Sequence, residues 1–209
     1  MLGQLLRRIL KHPDLGQPVL KDNFPQLMML EPSLTDHALP DVILQTSAPR
    51  AELLFFLLSR AQIIDEVIQP HLSRNANAIV ILDRYIYSTV AYQGYGRGLD
   101  LTRVREAIDF ATGGLQPDLY LVLDLPVDEG RARQHRDGAP EDRIEAAGTA
   151  FREAVRDGYL ALAASEPNVE VVSARGTAEE VHARIRDRLG ARFPDTFGPL
   201  EAIHPDRTV

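Results

Sequence analysis

The chain has 209 residues, 44% apolar and 25% charged, with a formal net charge of −7; that is enough for one soluble domain with a sizeable core, and the acidic balance argues against broad, nonspecific binding to nucleic acid. It has no cysteine, which excludes disulfides and thiolate metal sites, and no apolar run reaches membrane-spanning length. Arg7, Arg8 and Lys11 interrupt what would be the apolar core of a signal peptide, so a cytoplasmic protein is expected.

Leu2 to Leu10 predicts a short amphipathic helix, with Leu2, Leu5, Leu6, Ile9 and Leu10 on one face and Pro13 and Gly16 beyond its end. Residues 14–50 have little periodicity and carry Pro18, Pro25, Pro32, Pro40 and Pro49, which predicts a long irregular connection. From Ala51 the pattern sharpens. Leu54, Leu57, Leu58, Ala61, Ile64, Ile68 and Leu72 predict a long helix with one apolar face. Phe56 and Arg60 are four apart, hence neighbours on its surface; on spacing alone, a core phenylalanine and a solvated arginine is the preferred reading.

Ala78 to Leu82 is a short apolar run rich in β-branched residues and predicts a buried strand of a parallel sheet. Asp83 and Arg84 then stand at its carboxyl end, where open α/β sheets bind ligands. An acid there can hold Mg²⁺, and a guanidinium can clamp a phosphate. On the dipeptide alone, a helix cap and a surface charge is the preferred reading. The Ser88-Thr89 and Tyr92-Gln93 pairs that follow, with Gly94, Gly96 and Gly98, move the balance toward a site.

Asp100 can cap a helix over 101–112, stopped by Gly113-Gly114. Leu119 to Leu125 predicts a second buried strand with Asp124 at its carboxyl end, where a structural role is preferred. Pro126, Asp128 and Glu129 suit a helix start. A helix is expected to run to about Ala164, followed by a third strand at Val169 to Ser173. Thr177 and Glu180 form a capping box for the last helix, which Gly190 is expected to close, leaving 191–209 as a loose tail. Strands alternating with helices predict a single α/β domain over 1–190, a parallel sheet flanked by helices.

Arg131, Arg133, Arg136 and Arg143 are irregularly spaced around Gly138 and Pro140. A mobile arginine-bearing lid over 131–143 would suit phosphoryl transfer; a solvated, salt-bridged helix fits equally well. The histidines show no metal-ligand spacing.

Taken together, DRY followed by STxAYQG, the Phe-x-x-x-Arg of Phe56 and Arg60, the PDLYLVLDLPV strand and the DRIE at 142–145 resemble the thymidylate kinase family from about Glu52 to about Leu189. The resemblance implies the fold of the P-loop nucleoside monophosphate kinases and transfer of the γ-phosphate of ATP to dTMP, giving dTDP, with Mg²⁺. It implies that Phe56 stacks on thymine, that Arg60 and Thr89 bond the base edge, and that Arg84 holds the substrate phosphate. Tyr92 and Gln93 would line sugar and base, Asp83 would lie near Mg²⁺, and Arg133, Arg136 and Arg143 would form the lid over ATP. It also implies a homodimer.

The family begins with a strand, a GxxxxGK[ST] loop and a helix. The strand and loop are missing here: Lys11 and Lys21, followed by His12 and Asp22, are the only lysines. The expectation is therefore a thymidylate kinase that is N-terminally truncated or whose start is placed too far downstream. The alternatives are a noncatalytic nucleotide-binding module and a kinase of another nucleoside monophosphate.

Overall fold

The computed structural model describes residues 48–136 and 148–198. The helix expected at Leu2 to Leu10, the irregular stretch up to residue 47 and Arg143 lie outside the described residues.

Helix α1 spans Pro49–Ile63 and carries its proline in the first turn, where no backbone N–H is needed. It continues through a π-helical turn, Ile64–Ile68, into α2, Gln69–Arg74. Its buried face is Glu52, Leu53, Leu57 and Arg60, extended by Ile64 and Ile68. Leu54 and Leu58, expected on that face, are exposed instead. The stripe is rotated because two charged residues, each with buried partners, occupy positions on it.

The run Ala78 to Leu82 corrects the sequence reading. It forms no strand ladder among the described residues, and Ile79, Ile81 and Leu82 are exposed. Apolar, β-branched composition favours an extended backbone, but a strand exists only when a neighbour accepts its hydrogen bonds. The sheet formed among the described residues has two parallel strands, β1 at Tyr120–Asp124 and β2 at Val169–Ser173, in register from Tyr120 against Val169 to Asp124 against Ser173.

After Arg84 the chain enters helix α3, Ile86–Thr89, which widens into a π-helix over Val90–Gly96. Helix α4, Leu101–Thr112, starts where Asp100 accepts the Arg103 N–H at 2.9 Å, as its sequence predicts. The crossover from β1 to β2 contains α5, Val127–Arg136, and α6, Thr149–Ser165. Helix α7, Ala178–Arg192, opens with the expected Thr177–Glu180 capping box. It does not stop at Gly190, and a further turn, α8 at Pro194–Phe197, follows. Part of 191–198, expected in a loose tail, is thus helical, and 199–209 lie outside the described residues. A Cβ on Gly190 would meet the Phe197 carbonyl oxygen at 3.1 Å, so this glycine lets α8 fold back closely rather than ending α7.

The core joins Leu53, Leu57, Ile64 and Ile68 to Tyr85, Ile86, Tyr87 and Val90, then to Val104, Ile108, Val122, Leu162 and Val169. Its tightest seam lies between the π-helix and α6. A Cβ on Gly96 would stand 2.6 Å from the Phe151 ring and 2.8 Å from a Val155 methyl. Gly96→Ala must push the two helices apart and is expected to lose about 1–3 kcal/mol of stability, the usual cost of overpacking. Urea unfolding of the two proteins measures this, and an unchanged midpoint would show that the seam is slack.

Candidate functional site

Glu52, Phe56 and Arg60 stand on successive turns of α1 and so share one face. Arg60 is buried, which corrects the solvated reading. Its Nη1 donates to Thr89 Oγ1 at 2.8 Å, and its Nη2 donates to the Tyr85 carbonyl at 3.0 Å. The guanidinium also lies over the Tyr85 ring, 5.5 Å from its centroid. Phe56 is half-buried. Two turns before Arg60, Glu52 is wholly buried. Its carboxylate accepts from Gln93 Nε2 at 2.8 Å and from Arg97 Nε and Nη2 at 3.2 and 3.1 Å. The structure therefore brings Arg60 together with Thr89 and adds Glu52 and Arg97, which sequence reasoning did not select. Both were detectable: Glu52 completes a four-residue rhythm with Phe56 and Arg60, and Arg97 follows the predicted Gln93 by one helical turn.

Tyr92 and Gln93 sit on the π-helix, a form that recurs at functional sites because its wider turn re-aims side chains. Tyr92 packs edge-on against Phe151 and Tyr159, at 6.0 and 6.4 Å between centroids. The Arg84 guanidinium lies over the Tyr92 ring at 4.8 Å. Arg84 is exposed as a residue, yet its head group is crowded by Tyr92, Tyr159 and Tyr120; burial opposes its charge and those neighbours outweigh it. Its backbone is left-handed, φ 67°, the one such non-glycine residue among those described. A side chain held in that region marks a locally imposed conformation. Ser88 Oγ bridges the hydroxyls of Tyr120 and Tyr159 at 2.8 and 2.7 Å. Burial, then the neighbouring Tyr120, pushes the Tyr159 phenol far above its ordinary range, so it acts as a neutral hydrogen-bonding group.

Asp83 is exposed, with no hydrogen bond or ion pair among the described residues. No cluster of three or more His, Cys, Asp or Glu able to hold a metal occurs among the described residues. A lone carboxylate still fits Mg²⁺, which takes one or two carboxylates and completes its shell with water and substrate phosphates.

Arg131, Arg133 and Arg136 lie on the regular helix α5, so this part of the expected flap is helical. Arg131 donates to Thr149 Oγ1 at 3.0 Å and Arg133 to the Ala174 carbonyl at 3.1 Å. Asp124, at the end of β1, is paired bidentately with Arg156 at 2.7 and 3.0 Å, the structural role its sequence position suggested.

A parallel sheet covered by helices, with acids and arginines following its strands, is the architecture of α/β proteins that bind nucleotides. The thymidylate kinase family model matches residues 34–185. A thymidylate kinase of Synechococcus is 46% identical over 149 residues, covering 70% of this chain and 69% of the relative. That of Nitratidesulfovibrio vulgaris is 49% identical over 140 residues, 64% of each chain, and that of Carboxydothermus hydrogenoformans is 41% identical over 172 residues, 80% of this chain and 83% of the relative. The crystal structure of thymidylate kinase from Ehrlichia chaffeensis superposes with a TM-score of 0.53 at 28% identity, over 69% of this chain and 67% of that one. The chain belongs to the thymidylate kinase family. Its matched part spans about two thirds of the length of the first of these relatives. No helix among the described residues is long and apolar enough to cross a membrane.

The Asp124–Arg156 pair yields a pH prediction. The Arg156 hydrogen bonds hold the Asp124 carboxyl below the usual carboxylate range, so the stabilisation is present above the unfolded value and is lost as pH falls through the lower folded one. Solvent screening of this part-exposed pair limits it to about 1 kcal/mol. Asp124→Asn should therefore be less stable by about that amount at pH 7, with the difference shrinking below about pH 4. Urea titrations at both pH values test this; a pH-independent difference would assign the effect to packing.

Proposed function

We propose that this chain binds dTMP and takes part in its ATP-dependent phosphorylation to dTDP, a step in dTTP biosynthesis. The observation that carries the reading is the buried Arg60–Thr89 pair on the face of α1 that also presents Phe56. A guanidinium and a hydroxyl beside an aromatic ring can bond the edge of a planar base while the ring stacks on its face. In this reading Phe56 stacks on thymine, Arg60 and Thr89 meet its edge, and Tyr92 and Gln93 line sugar and base.

Arg84 receives the acceptor phosphate. Its fork suits two phosphate oxygens, and Tyr92 beneath it restricts where the guanidinium can go. Phosphoryl transfer requires that an acceptor oxygen approach the γ-phosphorus in line while positive groups spread the charge of the transferring group. Arg84 supplies that charge on the acceptor side; Arg133, Arg136 and Arg143 supply it from the lid. Mg²⁺, held through Asp83 and the phosphates, would neutralise charge on the donor. A homodimer, a cytoplasmic location and the absence of nucleic acid partners complete the reading. A second reading is a nucleotide-binding module without turnover.

Calorimetric titration with dTMP, followed by an ATP-coupled assay, separates the two, since binding without turnover selects the module. Arg84→Lys keeps the charge but loses the fork and is expected to weaken dTMP binding by about 1–3 kcal/mol. Unchanged affinity in the folded variant would remove Arg84 from the phosphate site. Phe56→Ala is expected to lose dTMP affinity well beyond its effect on melting temperature; a variant that simply unfolds would return Phe56 to the core.

A further inference from the structure

We propose that Tyr159 is a positioning residue for Arg84: its hydroxyl, bonded to Ser88, holds a tyrosine wall in place, and that wall aims the guanidinium at an incoming phosphate. The inference rests on the reading above that Arg84 receives the acceptor phosphate, and it adds what sets the aim. A carboxylate could orient the guanidinium through a bidentate pair, but none among the described residues bonds Arg84. Its head group rests on the Tyr92 ring, 4.8 Å from the centroid, and Tyr159 and Tyr120 also act on its charge. A cation over an aromatic ring is attracted to the whole face. The guanidinium is therefore only as well placed as the ring beneath it.

Tyr92 does not fix itself. Its ring meets Phe151 and Tyr159 edge-on, and both of those rings come from α6. Apolar ring contact tolerates small slips, whereas a hydrogen bond is directional. Ser88 supplies such bonds. Its Oγ, buried on α3, lies 2.7 Å from the Tyr159 hydroxyl and 2.8 Å from the Tyr120 hydroxyl. The Tyr120 and Tyr159 rings stack at 6.4 Å between centroids. Tyr120 stands on β1, so the sheet, α3 and α6 converge on one oxygen. The backbone of α6 is held close as well: a Cβ on Gly158 would stand 2.8 Å from the Tyr95 ring. Burial keeps the Tyr159 phenol neutral, so removing its hydroxyl takes away a bond and no charge.

The test compares calorimetric affinities of the full chain for dTMP and for thymidine, which has the same base and sugar but no phosphate. Tyr159→Phe keeps the ring and loses the bond to Ser88. It should weaken dTMP by about threefold to tenfold, the scale of one net hydrogen bond, and leave thymidine within about twofold. In an Arg84→Lys background the same substitution should change dTMP affinity by less than about twofold, because residues that act through one contact are not additive. A role in packing alone would weaken dTMP and thymidine alike. That result, an unchanged dTMP affinity, or a loss undiminished in the Arg84→Lys background would overturn the proposal. If the parent binds dTMP no better than thymidine, the phosphate reading of Arg84 itself fails, and the proposal with it. Should Tyr159→Phe not melt cooperatively, Ser88→Ala removes the same bond from its other end; the same phosphate-selective loss is expected, and a uniform loss counts against the proposal.

Discussion

Two charges of opposite sign, Glu52 and Arg60, are taken out of water on one face of α1, and much of the structure is arranged around satisfying them. An unpaired buried charge costs several kcal/mol, and removing one partner of a buried pair typically costs about 3–5 kcal/mol. The segment that follows Arg84 supplies partners to both: Tyr85 and Thr89 to Arg60, Gln93 and Arg97 to Glu52. That segment cannot drift along α1 without breaking these bonds to one charge or the other. The apolar contacts of Leu53, Leu57 and Val90 supply most of the adhesion, but apolar contact is indifferent to small slips. The polar pairs set the register.

The same constraint explains why the sequence was legible in some places and not in others. The capping of α4 by Asp100 and of α7 by Thr177 and Glu180 depends on residues three apart, and local chemistry can be read from local sequence. The strands at 120–124 and 169–173 were legible because composition and pairing agree. Ala78 to Leu82 has the same composition but no neighbour to pair with among the described residues. Strand formation is a property of two segments, and one segment's pattern cannot report it.

For the site, the family likeness selected Arg60, Thr89, Tyr92 and Gln93, and the structure places Arg60 directly on Thr89. Periodicity misassigned the burial of α1 because a hydropathy stripe treats charge as a marker of solvent. Glu52 and Arg60 reverse that rule, and only knowledge of their distant partners, 25 to 45 residues away in the chain, reveals it. Glu52 was passed over for that reason, although it shares its rhythm with Phe56 and Arg60.

The two ends of the candidate site obey different physics. Glu52, Arg60, Thr89 and Gln93 are all buried, and they bond in two pairs, Arg60 to Thr89 and Gln93 to Glu52. A low local dielectric there strengthens each matched hydrogen bond and penalises each mismatch, which suits discrimination among uncharged bases. At Asp83 and Arg84 the chain is exposed, the backbone of Arg84 is forced into the left-handed region, and Asp83 has no partner among the described residues. Asp83 can meet a cation without first breaking an internal pair, and the Arg84 guanidinium rests on the Tyr92 ring rather than on a carboxylate of the described residues. The π-helix joins the ends: Tyr92 underlies Arg84 while its neighbour Gln93 reaches Glu52. Adjacent residues pointing to such different surroundings require a backbone whose position is fixed, and the close contact of Gly96 with Phe151 and Val155 fixes it.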